Sequence, residues 1–259
     1  MAKISVYIIA FNEGLKIEPA IQSVIDWADE VIVADSFSTD NTVQLAEKAG
    51  AKVVQIPFSG FGELRNKAVA YCEHEWIFSL DADERCTPAA RDEILAICKT
   101  NNTDVVAYYV PRRNYVLGRW VKHSGWYPDY RQPQLFRKGA LTYHLDPVHE
   151  SYTISGKVGY LKKDIWQFPY ENLAQMLEKA NRYSSLGAQK LLHKKTGGFL
   201  KGFLHGLVIF LRTYFAKGGW LDGRAGFAIA LGNFIGTFYK YAKLAELQKN
   251  WRPPTSHLS

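Results

Sequence analysis

Residues 76–83 read Trp76-Ile77-Phe78-Ser79-Leu80-Asp81-Ala82-Asp83, an apolar run that ends in two carboxylates one residue apart. A run this apolar belongs to a buried strand, so the carboxylates emerge where that strand reaches the surface. A hard divalent cation such as Mg2+ or Mn2+ takes one or two carboxylates and fills its remaining positions with phosphate oxygens and water. An open strand end supplies those carboxylates without enclosing the ion. The stretch therefore points to a cation site whose ligand is a nucleoside diphosphate. The competing interpretation is plain: Asp81, Asp83 and Glu84 cap a helix beginning near Pro88.

Working outward, the same punctuation recurs. Residues 4–10 (Ile-Ser-Val-Tyr-Ile-Ile-Ala) predict a buried strand, and Phe11-Asn12-Glu13-Gly14 a turn. Ile17, Ile21, Val24 and Ile25 form one stripe of a helix over 17–27, with Pro19 in its first turn. Val31-Ile32-Val33-Ala34-Asp35 is a second strand, followed by Ser36 to Asp40 and a helix from about Asn41 to Lys48. Asp40 suits an N-cap or an Asx-turn there. Lys52–Ile56 predicts a third strand, and 62–72 a helix before the run that ends in Asp81. Strands alternating with helices build a parallel sheet with right-handed crossovers, whose ligands bind outside the carboxyl ends of the strands. Asn12 and Glu13, Asp35, and the Asp81/Asp83 pair all fall at such ends, which predicts one shared crevice. Val105–Val110, Pro133–Arg137 and Tyr152–Leu161 are further strands, and from about Tyr170 the pattern turns helical.

Charge divides the chain in the same place. Residues 179–252 hold thirteen Lys or Arg against two acids, Asp222 and Glu246, so this tail is strongly basic while the remainder of a chain of net charge +7 is acidic. A basic, aromatic tail fits an anionic surface. Nucleic acid is the weaker choice, because no helix-turn-helix or ribonucleoprotein signature is present. The apolar stretches 203–216 and 225–241 are interrupted by Arg212 and by Gly232, Asn233 and Gly236, which argues for interfacial helices over a membrane span. A solvated basic face around ordinary core helices is the plainer alternative. Cys72, Cys86 and Cys98 lack disulfide or zinc spacing and suit reduced thiols of a cytoplasmic protein, and the opening strand pattern is unlike a signal peptide.

The assembled pieces resemble the family 2 glycosyltransferases of the GT-A fold, and among them bacterial lipopolysaccharide-core β-glycosyltransferases of the β-1,4-glucosyltransferase type. They are Ile9-Ala10-Phe11-Asn12-Glu13, Ala34 to Thr42, Phe61-Gly62-Glu63-Leu64-Arg65-Asn66-Lys67-Ala68 and Leu80 to Glu84. Trp126-Tyr127-Pro128-Asp129, Gln134-Leu135-Phe136-Arg137 and Val148-His149-Glu150 follow, so the likeness covers about residues 3–165. It implies an α/β fold, a Rossmann-like mixed and mostly parallel sheet flanked by helices, over 1–168. Residues 169–259 would form a basic helical extension apposed to a membrane or acceptor.

The resemblance further implies an inverting transfer of a hexose, glucose foremost, from a UDP-sugar to a heptose of the lipopolysaccharide inner core, at the cytoplasmic face of the inner membrane. Asp83 would bind Mg2+ or Mn2+ directly, and Asp81 the ribose or a metal-bound water. Asp35 would accept from a base N–H, Arg65 would lie near base or diphosphate, and Asn12 and Glu13 would line the pocket floor. The plainer readings are a turn residue for Asp35, a local backbone bond for Asn12 and a solvated helix residue for Arg65. Glu150 is the expected proton acceptor, with Asp129 as its competitor behind sugar-stacking Trp126 and Tyr127. His149 would reach metal or diphosphate, or be structural. Other acceptors, a polyprenyl phosphate or a protein, suit the basic tail equally, and a non-catalytic nucleotide-sugar-binding membrane protein is the reading from a different class.

Overall fold

The computed structural model describes residues 3–100, 104–145 and 151–249, and the chain divides into two compact units. Residues 1–113 with 128–168 form the first, and 114–127 with 169–259 the second. Residues 114–127, which the sequence reading placed in the first domain, therefore group with the C-terminal helices.

The first unit opens with β1 (Ile4–Ala10), α1 (Ile17–Gln22), β2 (Glu30–Asp35), α2 (Thr42–Lys48), β3 (Lys52–Gln55), α3 (Phe61–Tyr71) and β4 (Trp76–Asp81). After β5 (Glu84–Arg85), α4 (Pro88–Thr100) and β6 (Val105–Tyr109), β7 (Arg112–Val116) carries the chain into the second unit, where β8 (Arg119–Trp120) pairs with it. The first unit resumes with β9 (Pro133–Arg137), β10 (Leu141–Tyr143), β11 (Tyr152–Ile154), β12 (Lys157–Tyr160) and β13 (Ile165–Gln167). Seven strands form one sheet in the order β12-β6-β9-β4-β1-β2-β3, and β9 alone runs against its neighbours.

Both faces of this sheet are covered, which is why its strands read as nearly continuous apolar runs. Ile4, Val6 and Ile8 of β1 join Trp76, Phe78 and Leu80 of β4 in one core with α1 and α4 residues Ile17, Ile21 and Ile94. Tyr7, Ile9 and Ile77 point the other way, against Leu64 and Ala68 of α3. Strand parity thus assigns residues 77, 79 and 81 to the face that α3 covers.

Two elements depart from expectation. The helix predicted over 17–27 stops at Gln22 and continues as turns. There Ser23 Oγ donates to Ala20 O at 2.7 Å and accepts Cys86 N–H at 3.0 Å, the side-chain competition that makes serine a poor helix-interior residue. The single strand expected over 152–161 is two strands parted at Ser155-Gly156. Gly156 has φ +148°, and a Cβ on it would lie 2.7 Å from Val106 Cγ2, so the extended run must break there.

The second unit is helical: α5 (Leu173–Leu191), α6 (Phe199–Leu211) running on through a π turn at Arg212–Ala216, a 3-10 turn at Gly219–Asp222, and α7 (Gly223–Lys249). Gly202 and Gly206 let α6 lie close on α7, since Cβ atoms there would meet Phe238 O at 2.7 Å and the Phe234 ring at 2.9 Å. Most of the opposite face of α6 is exposed, including Leu200, Phe203, Leu204, Val208 and Phe215. The sequence reading held that Arg212 leaves this stretch too short for a span. In fact Phe199–Ala216 is one helical run of 18 residues, 17% buried, long and apolar enough by length and composition to cross a membrane.

Candidate functional site

β1, β2 and β4 run parallel, so their carboxyl ends share one edge of the sheet: Asp35 pairs in register with Ala10, and Asp81 with Ile9. The polar clusters at Asn12 and Glu13, at Asp35 and at Asp81 lie along that edge. Two of the loops there are stapled together. Asn12 Oδ1 accepts Thr39 N–H at 2.8 Å, Asn12 N–H donates to Ser38 Oγ at 2.8 Å, and Glu13 N–H donates to Thr42 Oγ1 at 2.8 Å. Gly14 N–H reaches Asp40 Oδ2 at 3.1 Å, and a Cβ on Gly14 would lie 2.1 Å from Asn41 Oδ1, so a larger residue there would displace the Asn41 side chain. Asp40 Oδ1 also accepts Thr42 N–H at 3.0 Å, the Asx-turn anticipated ahead of α2. Burial pushes the Asp40 carboxyl up, but the donors from Thr42 and Gly14 outweigh it and leave it below the ordinary aspartate range.

Asp35 is fully buried, and both its oxygens are taken by Ser38, one by N–H at 2.9 Å and one by Oγ. These bonds close the 35–38 turn. Asn12 bonds to the neighbouring loop and not to its own backbone.

Arg65 is not a solvated helix residue. It is 2% exposed on α3, and strand parity brings it over β4: Nη1 donates to Ser79 Oγ at 3.1 Å and Nη2 to Asp81 Oδ1 at 2.9 Å. Burial pushes the Asp81 carboxyl up, yet the charges of Arg65, Arg112 and Arg131 prevail and hold it below the usual range. Two further residues of the Phe61–Ala68 motif act nearby. Asn66 Nδ2 donates to Tyr143 O at 2.8 Å while its Oδ1 accepts Tyr143 N–H at 3.0 Å, and a Cβ on Gly62 would lie 2.0 Å from His144 O. The motif thereby fixes β10, which pairs with β11 as a hairpin. His149 and Glu150 fall between those strands in sequence, outside the described residues.

The second carboxylate is placed by a turn, not by the strand. β4 ends at Asp81, and Ala82 and Asp83 form a turn in which Ala82 is buried in the core. Asp81 N–H donates to Glu84 Oε2 at 2.9 Å, closing the turn. Glu84 is itself fully buried, ion-paired to Arg112 Nε and receiving Gln134 Nε2 at 2.8 Å. Burial pushes the Glu84 carboxyl up and the Asp81 charge adds to this, against the pull of Arg112. Helix α4 is capped by neither carboxylate of the pair: Thr87 Oγ1 accepts Ala90 N–H at 3.1 Å. Asp129, half-buried, pairs with Arg131 at 2.7 Å, and its carbonyl accepts Arg112 Nη1 at 3.4 Å.

The Glycosyl transferase family 2 domain matches residues 5–168 of this architecture. The chain belongs to that family. A glycosyltransferase of uncharacterized specificity from Rickettsia felis is 30% identical over 96% of this chain and 91% of its own length. The lipopolysaccharide core biosynthesis glycosyltransferase LpsC of Rhizobium meliloti is 30% identical over 93% of this chain and 91% of its own. Among solved structures, glucosyl-3-phosphoglycerate synthase from Mycobacterium tuberculosis, in complex with Mn2+, UDP and glucosyl-3-phosphoglycerate, is 27% identical with a TM-score of 0.38. That overlap covers 43% of this chain and 44% of the synthase.

Among the described residues of this family 2 glycosyltransferase, no three His, Cys, Asp or Glu side chains are grouped to enclose a metal. The donor chemistry nonetheless fits a divalent cation that keeps positions for phosphate. Asp81 has 27% of its side chain exposed and Asp83 is half-buried, with Gln167 Nε2 at 3.3 and 3.4 Å from the Asp83 oxygens. Gln167 Oε1 is buried without a partner, an orphan acceptor next to that carboxylate. The buried pairing of Glu84 with Arg112 and the charge of Arg131 are what sequence reasoning missed. The sole signal was Glu84 following the Asp81/Asp83 pair directly, where it read as a helix cap, since Arg112 and Arg131 sit in no motif.

Proposed function

We propose that this glycosyltransferase moves a hexose, with inversion, from a UDP-sugar to a lipopolysaccharide-core acceptor, and that it works with a divalent cation at Asp81 and Asp83. What supports the site is one observation: two partly open carboxylates at the common edge of β1, β2 and β4, the first locked by a buried arginine. What supports the acceptor class is the relationship to LpsC along nearly the whole chain. The donor nucleotide is carried by the sequence resemblance.

A bound divalent cation supplies Lewis-acid stabilisation of charge on the departing diphosphate, worth several kcal/mol. The chain's own residues do the rest. Arg65 holds the Asp81 carboxylate in one orientation, so that no reorganisation accompanies the developing charge. The Glu84–Arg112 pair fixes the turn that carries Asp83. The acceptor hydroxyl must lose its proton to a carboxylate within hydrogen-bond reach. Glu150 is the proposed base. Asp129 is the weaker candidate, because the Arg131 guanidinium already occupies its Oδ2. The exposed apolar side chains of α6 follow Lys194 and Lys195 in sequence, and Lys201 stands in the first turn of the helix, which supports apposition to an anionic bilayer.

The decisive experiment incubates the chain with a panel of nucleotide sugars and reads released nucleoside diphosphate, with Mn2+, with Mg2+ and with EDTA. Metal-dependent release from a UDP-sugar is expected. Equal release in EDTA removes the cation from the reading, and no release from any donor removes the transferase assignment of the site.

A further inference from the structure

A groove of about 370 Å³ lies wholly within the second unit, between α5 and α7, in the size range of small-ligand pockets. Its floor is low because glycines of α7 face α5 there: Gly232 lies opposite Met176 and Gly236 opposite Ala180, and a Cβ on Gly236 would still be 3.8 Å from Ala180 Cβ. Above the floor the lining is of three kinds. Trp126 and Tyr170 offer aromatic faces at one end, with ring centroids 6.5 Å apart. Asn233 and Thr237 offer neutral donors and acceptors. Lys179 and Lys240 bring ammonium groups, and none of the residues lining the groove is acidic.

Both ammonium groups lie near aromatic rings. Lys179 Nζ lies 5.1 Å from the Tyr170 ring centroid, and Lys240 Nζ lies 5.3 Å from that of Tyr241. A third positive charge stands behind the wall. Lys243 Nζ is bonded to Asn181 Oδ1 at 2.6 Å, to Ser184 Oγ at 2.9 Å and to Ser185 Oγ at 2.8 Å, all neutral acceptors, and Ser184 lines the groove.

Positive potential selects an anion, flat aromatic faces select a ring with apolar C–H edges, and neutral amide and hydroxyl groups select hydroxyls. We infer that the α5–α7 groove binds a phosphorylated saccharide unit, the anionic part of a glycolipid acceptor. The acceptor role rests on the function proposed above; the binding does not, because nothing in it requires the donor site.

The test uses the full chain without donor and measures binding of mannose 6-phosphate, methyl mannoside, inorganic phosphate and UDP by calorimetry, and by saturation-transfer NMR. Mannose 6-phosphate should bind, methyl mannoside and phosphate should each bind at least tenfold more weakly, and K179E or K240E should each weaken it by roughly tenfold, the scale of one charge-assisted contact. Thr237→Trp, which fills the groove, should abolish it, with circular dichroism confirming each fold. Phosphate binding as tightly as the sugar phosphate, UDP competing for the groove, or undiminished binding in Thr237→Trp would each overturn the inference. Nucleotide release by the wild-type chain is read separately. Release without sugar-phosphate binding sinks the groove alone, and binding without release sinks the transferase reading alone.

Discussion

Replacing Arg112 by methionine should destabilise the first unit by about 3 kcal/mol at neutral pH, and the amount should depend on pH in a defined direction. Arg112 is 2% exposed and Glu84 is fully buried, so the substitution leaves a carboxylate in the interior with Asp81 N–H and Gln134 Nε2 as its remaining donors. Breaking one side of a buried pair costs about 3–5 kcal/mol. Glu84 has an escape that sets an upper limit: it can take up a proton. Holding that proton at pH 7 costs about 1.36 kcal/mol for each unit above the ordinary glutamate value of about 4.3, or roughly 3.7 kcal/mol. In the variant the folded-state pKa of Glu84 is raised further, so stability is greatest below the unfolded-state value and is lost as pH rises toward the folded one. Urea unfolding at pH 5.0 and pH 7.5 should show a loss of about 3 kcal/mol at the higher pH and about 1 kcal/mol at the lower. Adding Glu84→Gln to Arg112→Met should recover more than half of the loss, since no ion is then stranded. A loss that is the same at both pH values, or no recovery in the double variant, refutes the claim that this pair is a buried charge pair holding the carboxylate turn.

Asp83→Ala should abolish metal-stimulated nucleotide release, and an unchanged rate would remove Asp83 from the site. Glu150→Gln should lower turnover by about 10² or more with donor affinity retained; if Asp129→Asn behaves so instead, Asp129 is the base. The depressed carboxyl of Asp81 contributes stability above the ordinary value of 3.8 that is lost as pH falls through its folded-state value. The stability gap between wild type and Asp81→Asn, measured by urea unfolding, should therefore be widest near neutrality and close in acid. Leu200→Glu with Val208→Glu should lower liposome binding by more than tenfold, and retained binding would show that this face of α6 does not meet lipid.

The carboxyl edge of the sheet was legible because each apolar run in the first half ends in a polar cluster, and parallel strands put all such ends on one side. Parity within β4 also predicts that Asp81 shares a face with Ser79. What no local pattern shows is which helix residue covers that face. Arg65 and Asp81 are 16 residues apart, and only the packing of α3 on β1 and β4 brings them together. The Glu84–Arg112 pair was hidden for a physical reason. Charged residues are almost never fully buried unless paired, so a solvated helix cap is the better guess for Glu84 until its partner, 28 residues on, is known. The placement of Asp83 in a turn was hidden for a third reason: the apolar run does not show where the strand stops, and β4 ends two residues before Asp83.

In the second unit composition was legible and orientation was not. A soluble helix turns its large apolar residues inward and its small or polar ones outward, whereas α6 does the reverse, packing Gly202 and Gly206 on α7 and leaving Leu200, Phe203, Leu204, Val208, Leu211 and Phe215 exposed. Full burial of such a side chain contributes about 1.5–3 kcal/mol, so six that are roughly half-exposed hold on the order of 6 kcal/mol unrealised in water. A basic residue near an anionic surface adds about 1 kcal/mol. With Lys194, Lys195 and Lys201 at the start of the helix, the apolar term is about twice the electrostatic one. Charge then governs how the proposed contact with a bilayer begins, and the outward face of α6 governs whether it lasts. Added salt should weaken the contact only in part, because screening acts on the smaller of the two contributions.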